Sequence, residues 1–237
     1  MTKRLAIIGM GKMGRAIADL APARGWEIAA CLDAAELERG GITAALLSGA
    51  DVAVEFTVPS AAAGNIRALI AAGCPVVVGT TGWYAEFDAI AAEVRSVGGA
   101  LLTATNYSLG VNIFEQIVEV AARLIGRAPG FDAHLIETHH AAKKDAPSGT
   151  AVTIGRTAST AWARGADIPI TSVRTGSVPG THEVVFDAPF EQIHLVHLAR
   201  DRRVFAEGAL VAAAWLAHRT GVFTMRDVLS TSPGDNQ

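Results

Sequence analysis

Fourteen residues in the middle of the chain, ETHHAAKKDAPSGT (137–150), hold two adjacent histidines, two adjacent lysines and a Pro-Ser-Gly-Thr turn. Histidine and lysine are common proton carriers in general acid–base catalysis. Small residues at a helix start leave backbone N–H groups exposed, and such amides, helped by a lysine, hold a carboxylate or phosphate. The stretch therefore points to a site that binds an anion and delivers a proton. HLIETHH (134–140) reads as a strand running into a loop, so His139 and His140 fall at its end. Successive strand side chains point to opposite faces, so only one of the two faces a given pocket. Ser148 is placed as an N-cap, with Gly149 and Thr150 opening the helix that follows. A histidine on an apolar strand is ordinarily a core residue, and a lysine pair is ordinarily solvated. It is their concentration in one loop that favours a site. Six of the seven histidines lie between His134 and His197. No His-x-x-x-His or paired-cysteine spacing accompanies them, so no metal site is expected.

A second chemical signal opens the chain. GMGKMG (9–14) is Gly-x-Gly-x-x-Gly, placed after an apolar strand and before a helix. Gly9 allows the tight turn, Gly11 lets a pyrophosphate approach the backbone, and Gly14 lets the helix pack on the strand. The whole turn, Gly9, Met10, Gly11, Lys12, Met13 and Gly14, is expected to bind a dinucleotide. Asp33 closes the second strand about 20 residues on, where the fingerprint places the ribose-binding acid. A carboxylate there accepts hydrogen bonds from both ribose hydroxyls of NAD and repels the 2′-phosphate of NADP. No arginine follows it, since the next residues are Ala34, Ala35 and Glu36. NADH is therefore the expected preference, with NADPH use possible. GTTGW (79–83) and TATNYS (103–108) leave two further strands at the carboxyl end of the sheet, where ligands sit in open α/β folds. Their threonines, bare glycine amides and Asn106 suit a nicotinamide carboxamide.

The elements that position these residues fall into two blocks. LAIIG (5–9), EIAACLD (27–33), DVAVEF (51–56), PVVVG (75–79) and ALLTAT (100–105) read as short strands. They are separated by helices over 12–24, 60–72, with Ser60 as N-cap, and 85–97. Continuous apolar strands alternating with helices predict a parallel sheet covered on both faces. A long amphipathic helix over 111–126 follows. Strand-like runs at 131–137, 170–176, 181–186 and 191–199 then surround a single helix at 149–164, which predicts a mixed or antiparallel sheet of α+β type. From about Phe205 the chain is helical again and apolar almost all round. The expected fold is thus α/β, a Rossmann-type doubly wound parallel sheet, with a second α+β domain. The expected boundaries are 1–107 plus 207–237 for the dinucleotide-binding domain and 108–206 for the substrate and oligomerisation domain.

Composition narrows the function classes. The 237 residues carry a net charge of −3 with only 18% charged residues. No basic block exceeds pairs such as Lys143-Lys144, which speaks against a nucleic-acid partner. No apolar run reaches the roughly 18 residues of a membrane helix. Cys31 and Cys74, the two cysteines, read as reduced core thiols, and a cytoplasmic location is expected.

Taken together, ETHHAAKKDAPSGTA, FTVP, VGTTGW, ATNYSLGVNIF, RTGSVPGTHEVVF, RVFAEGAL and GVFTMRDVL resemble, in order and over nearly the whole chain, the dihydrodipicolinate reductase (4-hydroxy-tetrahydrodipicolinate reductase) family of diaminopimelate and lysine biosynthesis. The resemblance implies a cyclic dicarboxylate substrate, a homotetramer built through the middle segment, and closure of the two domains on one another. It implies that His139 is the acid–base histidine, Lys143 the lysine proton donor and His140 a substrate contact. Ser148, Gly149 and Thr150 resemble the carboxylate-binding turn. Gly79, Thr80 and Thr81, with Ala104, Thr105, Asn106 and Tyr107, resemble the nicotinamide contacts. Many members carry a glycine turn one residue longer, and many have arginine after the acid where this chain has Ala34. Two other classes share a nucleotide domain of this kind: amino-acid dehydrogenases, which would show ammonia-dependent oxidation, and NAD-sensing modules, which would turn over no dicarboxylate.

Overall fold

The structure, a computed structural model, describes residues 2–162 and 164–230. In chain order the elements are β1 (Lys3–Ile8), α1 (Lys12–Leu20), β2 (Trp26–Leu32), α2 (Ala34–Gly40), β3 (Val52–Glu55), α3 (Pro59–Ala71), β4 (Val76–Val78), α4 (Phe87–Ser96), β5 (Ala100–Thr103), α5 (Leu109–Ile125), β6 (Asp132–His139), α6 (Gly149–Trp162), β7 (Ile170–Arg174), β8 (Thr181–Ala188), β9 (Glu191–Leu198), α7 (Arg203–Leu216), β10 (Gly221–Phe223) and α8 (Met225–Ser230). They divide into two compact units, one of residues 1–109 with 203–237 and one of residues 110–202.

The first unit is built on a six-stranded sheet in the order β10-β5-β4-β3-β1-β2, with every pair parallel. The inner strands are apolar without interruption because both of their faces are covered. Alternate residues go to opposite sides. Leu5, Ile7, Val52, Val54, Val77 and Leu102 pack with α1, α7 and α8. Ala6, Ile8, Ala53, Val76, Val78 and Leu101 pack with Ile66 and Leu69 of α3 and Ile90 and Val94 of α4. α7 is the almost wholly apolar helix expected near the end of the chain, and its alanines lie in the first of these clusters. Three details differ from the sequence reading. α3 is capped at Val58 without a side-chain bond and takes Pro59 in its first turn, so Ser60 is not the cap. Proline suits that position because it has no N–H to leave unpaired. α2 and β10 were not anticipated, each being too short to show a period. Cys31 is exposed on the edge strand β2 rather than a core thiol, and Cys74 alone is buried.

In the second unit the sheet order is β7-β6-β8-β9, with β6–β7 parallel and the other pairs antiparallel, as expected of a mixed sheet. One face carries Leu135, Val184 and Phe186 and is covered by Phe114, Val118 and Ala122 of α5 and by Ala151, Ile154, Ala158 and Trp162 of α6. α6 is described to Trp162, and the expected end at 164 runs across residue 163, which lies outside the described residues.

Candidate active site

Strand register decides what meets what in the second unit. β6 buries every second residue, so Glu137 and His139, two apart, share its covered face. Across the sheet, His139 lies beside Arg174 and Glu137 beside Ser172 on β7. On the other side Glu137 lies beside His182 of β8, and His182 beside His197 of β9. Four neighbouring strands thus line up ionisable side chains at one end of one sheet face, where the start of α6 also docks.

Glu137 is the centre of this array and is 0% exposed. Its Oε1 accepts from Arg174 Nη2 at 2.6 Å and from the Ser148 amide at 3.2 Å. Its Oε2 takes the Nδ1 of His139. Burial alone would raise the Glu137 pKa, but the hydrogen bonds from Arg174, Ser172 and His139 outweigh it and bring the carboxyl down to about 2. Burial lowers the His139 pKa, while Glu137 pulls it back up and the cations Lys143 and Arg174 add to the lowering. At neutral pH the resting imidazole is therefore mostly neutral, with Nδ1–H on Glu137 and a bare Nε2. Gly180 makes room for that nitrogen, since a Cβ there would stand 3.0 Å from Nε2. His182 meets His139 edge-on at 5.3 Å between ring centres, and burial first, then the neighbouring histidines, lowers it to about 4.

The lysine loop is fixed beside this array. The Lys143 amide closes a turn on the His140 carbonyl at 3.0 Å. Its ammonium pairs with Asp145 at 2.8 Å. Arg174 also donates to the Asp145 carbonyl at 2.6 Å, so one guanidinium ties the buried carboxylate to the lysine loop. His140 lies just past the end of β6 and is half-buried, whereas His139 is on the strand and buried, which separates the histidine pair as the strand argument required. The Ser-Gly-Thr turn is also divided. Ser148 is buried, its hydroxyl caps the Ala151 amide at 3.1 Å and its own amide is on Glu137. Gly149 at the head of α6 is exposed. Ser148, expected to help hold an anion, thus has both its amide and its hydroxyl engaged within the protein.

In the first unit the glycine turn closes as its spacing demands. A Cβ at Gly14 would stand 2.0 Å from the Gly9 carbonyl, whereas one at Gly11 would meet nothing within 4 Å. Gly11 therefore faces the open approach that a pyrophosphate needs. Asp33 caps α2 through the Ala34 amide at 2.9 Å, and its Oδ1 also takes the Met10 amide at 3.4 Å, which fastens the carboxylate to the turn. The side chains of Met10 and Met13 pack on the core, leaving their backbone to the turn, and Lys12 is exposed. Thr80 is buried, its hydroxyl accepting the Thr57 amide at 2.7 Å, and Thr81 is exposed. Tyr107 turns into the core and donates to the Val78 carbonyl at 2.7 Å, so only its backbone lines the loop with Ala104, exposed Thr105 and Asn106. Asn106 Oδ1 accepts from the Ser108 amide at 2.9 Å.

Some residues of these sites were not singled out by sequence. Glu137, Arg174, His182 and Asp145 belong to the array of the second unit. A glutamate at an inward position of an alternating strand was the available signal, because a buried charge must have a partner. In the first unit the Phe56-Thr57 loop was missed. The Phe56 carbonyl lies 2.3 Å from where a Gly9 Cβ would be, and the loop is braced by buried Glu55, which accepts from Thr57 Oγ1 and from Asn65 at 3.2 Å.

A parallel sheet opened by this glycine turn, in one chain with an array suited to hold an anion and move a proton, defines a pyridine-nucleotide oxidoreductase. The residues of the turn fit such a nucleotide, with the gap at Gly11 and the acid at Asp33. Models of the dihydrodipicolinate reductase N-terminus and C-terminus match residues 3–107 and 110–229. The chain belongs to the dihydrodipicolinate reductase family. It is 35% identical over 236 residues to a 4-hydroxy-tetrahydrodipicolinate reductase of Christiangramia forsetii, covering 95% of this chain and 97% of that protein. It is 37% identical over 250 residues to that of Acidiphilium cryptum, again covering 95% and 97%. A solved dipicolinate-bound dihydrodipicolinate reductase from Paenisporosarcina sp. TG-14 shares the fold with a TM-score of 0.81 at 21% identity, over 96% of this chain and 99% of that one.

Proposed function

We propose that the chain reduces 4-hydroxy-tetrahydrodipicolinate to tetrahydrodipicolinate in diaminopimelate and lysine biosynthesis, with residues 1–107 and 207–237 as the dinucleotide domain and 108–206 as the substrate domain. The observation that carries it is the array around Glu137, which sets His139 and the Lys143 loop beside the start of α6. One carboxylate of the ring is held by the amides of Gly149 and Thr150 and by the neighbouring cations, with His140 at its edge. A reduced nicotinamide supplies the hydride when bound. Lys143 or His139 supplies the proton that meets the charge left on the ring. The experiment is a coupled assay in which the preceding synthase makes the substrate from aspartate semialdehyde and pyruvate. Turnover of the dinucleotide only when the synthase is present supports the reading, and ammonia-dependent oxidation of an amino acid overturns it.

Asp33 supports NADH as the preferred cofactor. A 2′-phosphate would bring negative charge against a carboxylate already held at the turn by the Met10 amide, and Ala34 offers no offsetting cation. A charge repulsion of about 1.4 to 2 kcal/mol is a factor of roughly 10 to 30. kcat/KM is therefore expected to be at least about tenfold higher with NADH than with NADPH, and an NADPH-favouring ratio would refute this.

A homotetramer fits the surface of the second unit. Val173, Val196 and Leu198 are exposed on the uncovered sheet face, Phe190 in the β8–β9 turn is 99% exposed, and Ile113, Ile117, Val120 and Leu124 make an exposed stripe along α5. Apolar groups set out at this density mark an association surface. Light scattering on the purified chain is expected to give four times the monomer mass, and Val196→Glu is expected to reduce it. A cytoplasmic location accords with this reading; among the described residues no helix is long and apolar enough to cross a membrane.

A further inference from the structure

We propose that Glu137, held by Arg174, is the positioning residue that sets which nitrogen of His139 exchanges a proton with the reaction. The inference rests on the reading of His139 as a group at the reacting centre. An ionised carboxylate can only accept hydrogen bonds, so the His139 nitrogen on Glu137 Oε2 must carry its hydrogen. That leaves Nε2, on the side of Gly180, as the nitrogen whose protonation can change.

Arg174 makes the arrangement rigid. Its Nη2 donates to Glu137 Oε1 at 2.6 Å, and the guanidinium is itself held by the carbonyls of Asp145 at 2.6 Å and Val173 at 2.7 Å. With the Ser148 amide and the Ser172 side chain added, Glu137 accepts from four directions. Turning its carboxylate away from His139 would also disturb its bonds to Arg174 and to the Ser148 amide. A carboxylate serving only as a counter-ion for Arg174 would present both oxygens to the guanidinium in the bidentate manner. Here one oxygen is given to the histidine.

The charged and titratable groups facing His139 are Glu137 on its own strand, Arg174 on β7, His182 on β8 and Lys143 on the loop, with Asp145 paired to that lysine. Removing the anion and removing the arginine must therefore move the His139 titration in opposite directions. Glu137→Gln deletes the attraction for the imidazolium and lowers its pKa, by about one unit or more. Arg174→Gln deletes a repulsion and raises it. If protonated His139 is needed for turnover, activity falls as pH rises through that pKa, so the limb moves to lower pH in the first variant and to higher pH in the second. A general loosening of the fold would not produce opposite shifts.

The test uses the full chain. Proton-detected nitrogen NMR of the histidine rings reads the His139 tautomer and its titration without substrate, and the pH profile of kcat/KM reads its consequence. Expected are the Nδ1–H tautomer in the parent protein and a loss of that preference in Glu137→Gln. kcat should fall by about 10- to 100-fold, as for other supporting carboxylates of functional histidines, with KM for the dinucleotide unchanged. Glu137→Asp, which keeps the charge, should recover part of the rate. The proposal is overturned if Glu137→Gln keeps the Nδ1–H tautomer, the parent pH limb and the parent kcat. Failure of the functional reading is separately visible, as normal turnover in His139→Ala, while the substrate-free tautomer and titration still report on Glu137.

Discussion

Lys143→Met is expected to lower kcat by about 100- to 1,000-fold, within the roughly 100- to 10,000-fold range over which a positioned proton donor acts, and to leave KM for the dinucleotide within about twofold. The resting state of the array explains why the effect should be this large. His139 is buried and its pKa is lowered, so near neutral pH it presents a lone pair rather than a proton. The loop cation that acts on His139 is Lys143, paired with Asp145 at 2.8 Å and fixed by the turn onto His140. Methionine keeps the length of the stem and removes only the charge and its protons. KM for the dicarboxylate should rise as well, because a cation near the start of α6 is lost. His139→Ala is expected to cost about 100-fold, since the imidazole shapes and relays at the same end of the sheet. The measurement is steady-state kinetics in the coupled assay on both variants. Near-parent kcat in both would remove the loop from the catalytic centre, and a large loss in His139→Ala alone would make the histidine the donor.

Much of this site was legible because its chemistry is local. The glycine turn and the loop from His139 to Thr150 are contiguous patterns, and Asp33 follows the turn at the spacing that the fingerprint sets. The parallel sheet could be read from five uninterrupted apolar strands, because burial on both faces leaves no polar alternation. What escaped detection was set by pairing between distant segments. Arg174 is 37 residues from Glu137 and meets it only because β6 and β7 run parallel in one register. His182 enters through the antiparallel pairing with β8. The same limit applies to the turn itself. Ser148 reads as a cap and an anion contact alike, and it is the distant Glu137 that takes its amide. Likewise the side chains of Tyr107 and Thr80 look available in sequence, and both are engaged by backbone groups that other strands or loops bring to them.

The second large effect concerns stability and turns on two glycines in helices. Gly208 lies inside α7 and Gly64 inside α3, so helix propensity alone predicts that alanine stabilises each by roughly 0.5–1 kcal/mol. Packing reverses the sign at one of them. A Cβ at Gly208 would lie 1.6 Å from the Tyr107 carbonyl oxygen and 2.7 Å from its carbon. Those are backbone atoms and cannot swing aside, and α7 is packed against β3, β4 and β5 on one face of the first sheet. Relief requires the helix or the 104–107 loop to shift, and overpacking of this kind costs about 1–3 kcal/mol, occasionally more. At Gly64 a Cβ meets nothing within 4 Å and the position is exposed. Taking the upper end of that cost, because backbone meets backbone, less the propensity gain, Gly208→Ala is expected to lower the urea midpoint by the equivalent of about 2 kcal/mol, and Gly64→Ala to raise it by up to about 1 kcal/mol. Because the displaced carbonyl belongs to the loop proposed to meet the nicotinamide, Gly208→Ala should also raise KM for the dinucleotide, whereas Gly64→Ala should not. Equal midpoints for Gly208→Ala and the parent protein would mean that α7 does not approach Tyr107 this closely, and the close contact between helix and loop would have to be abandoned.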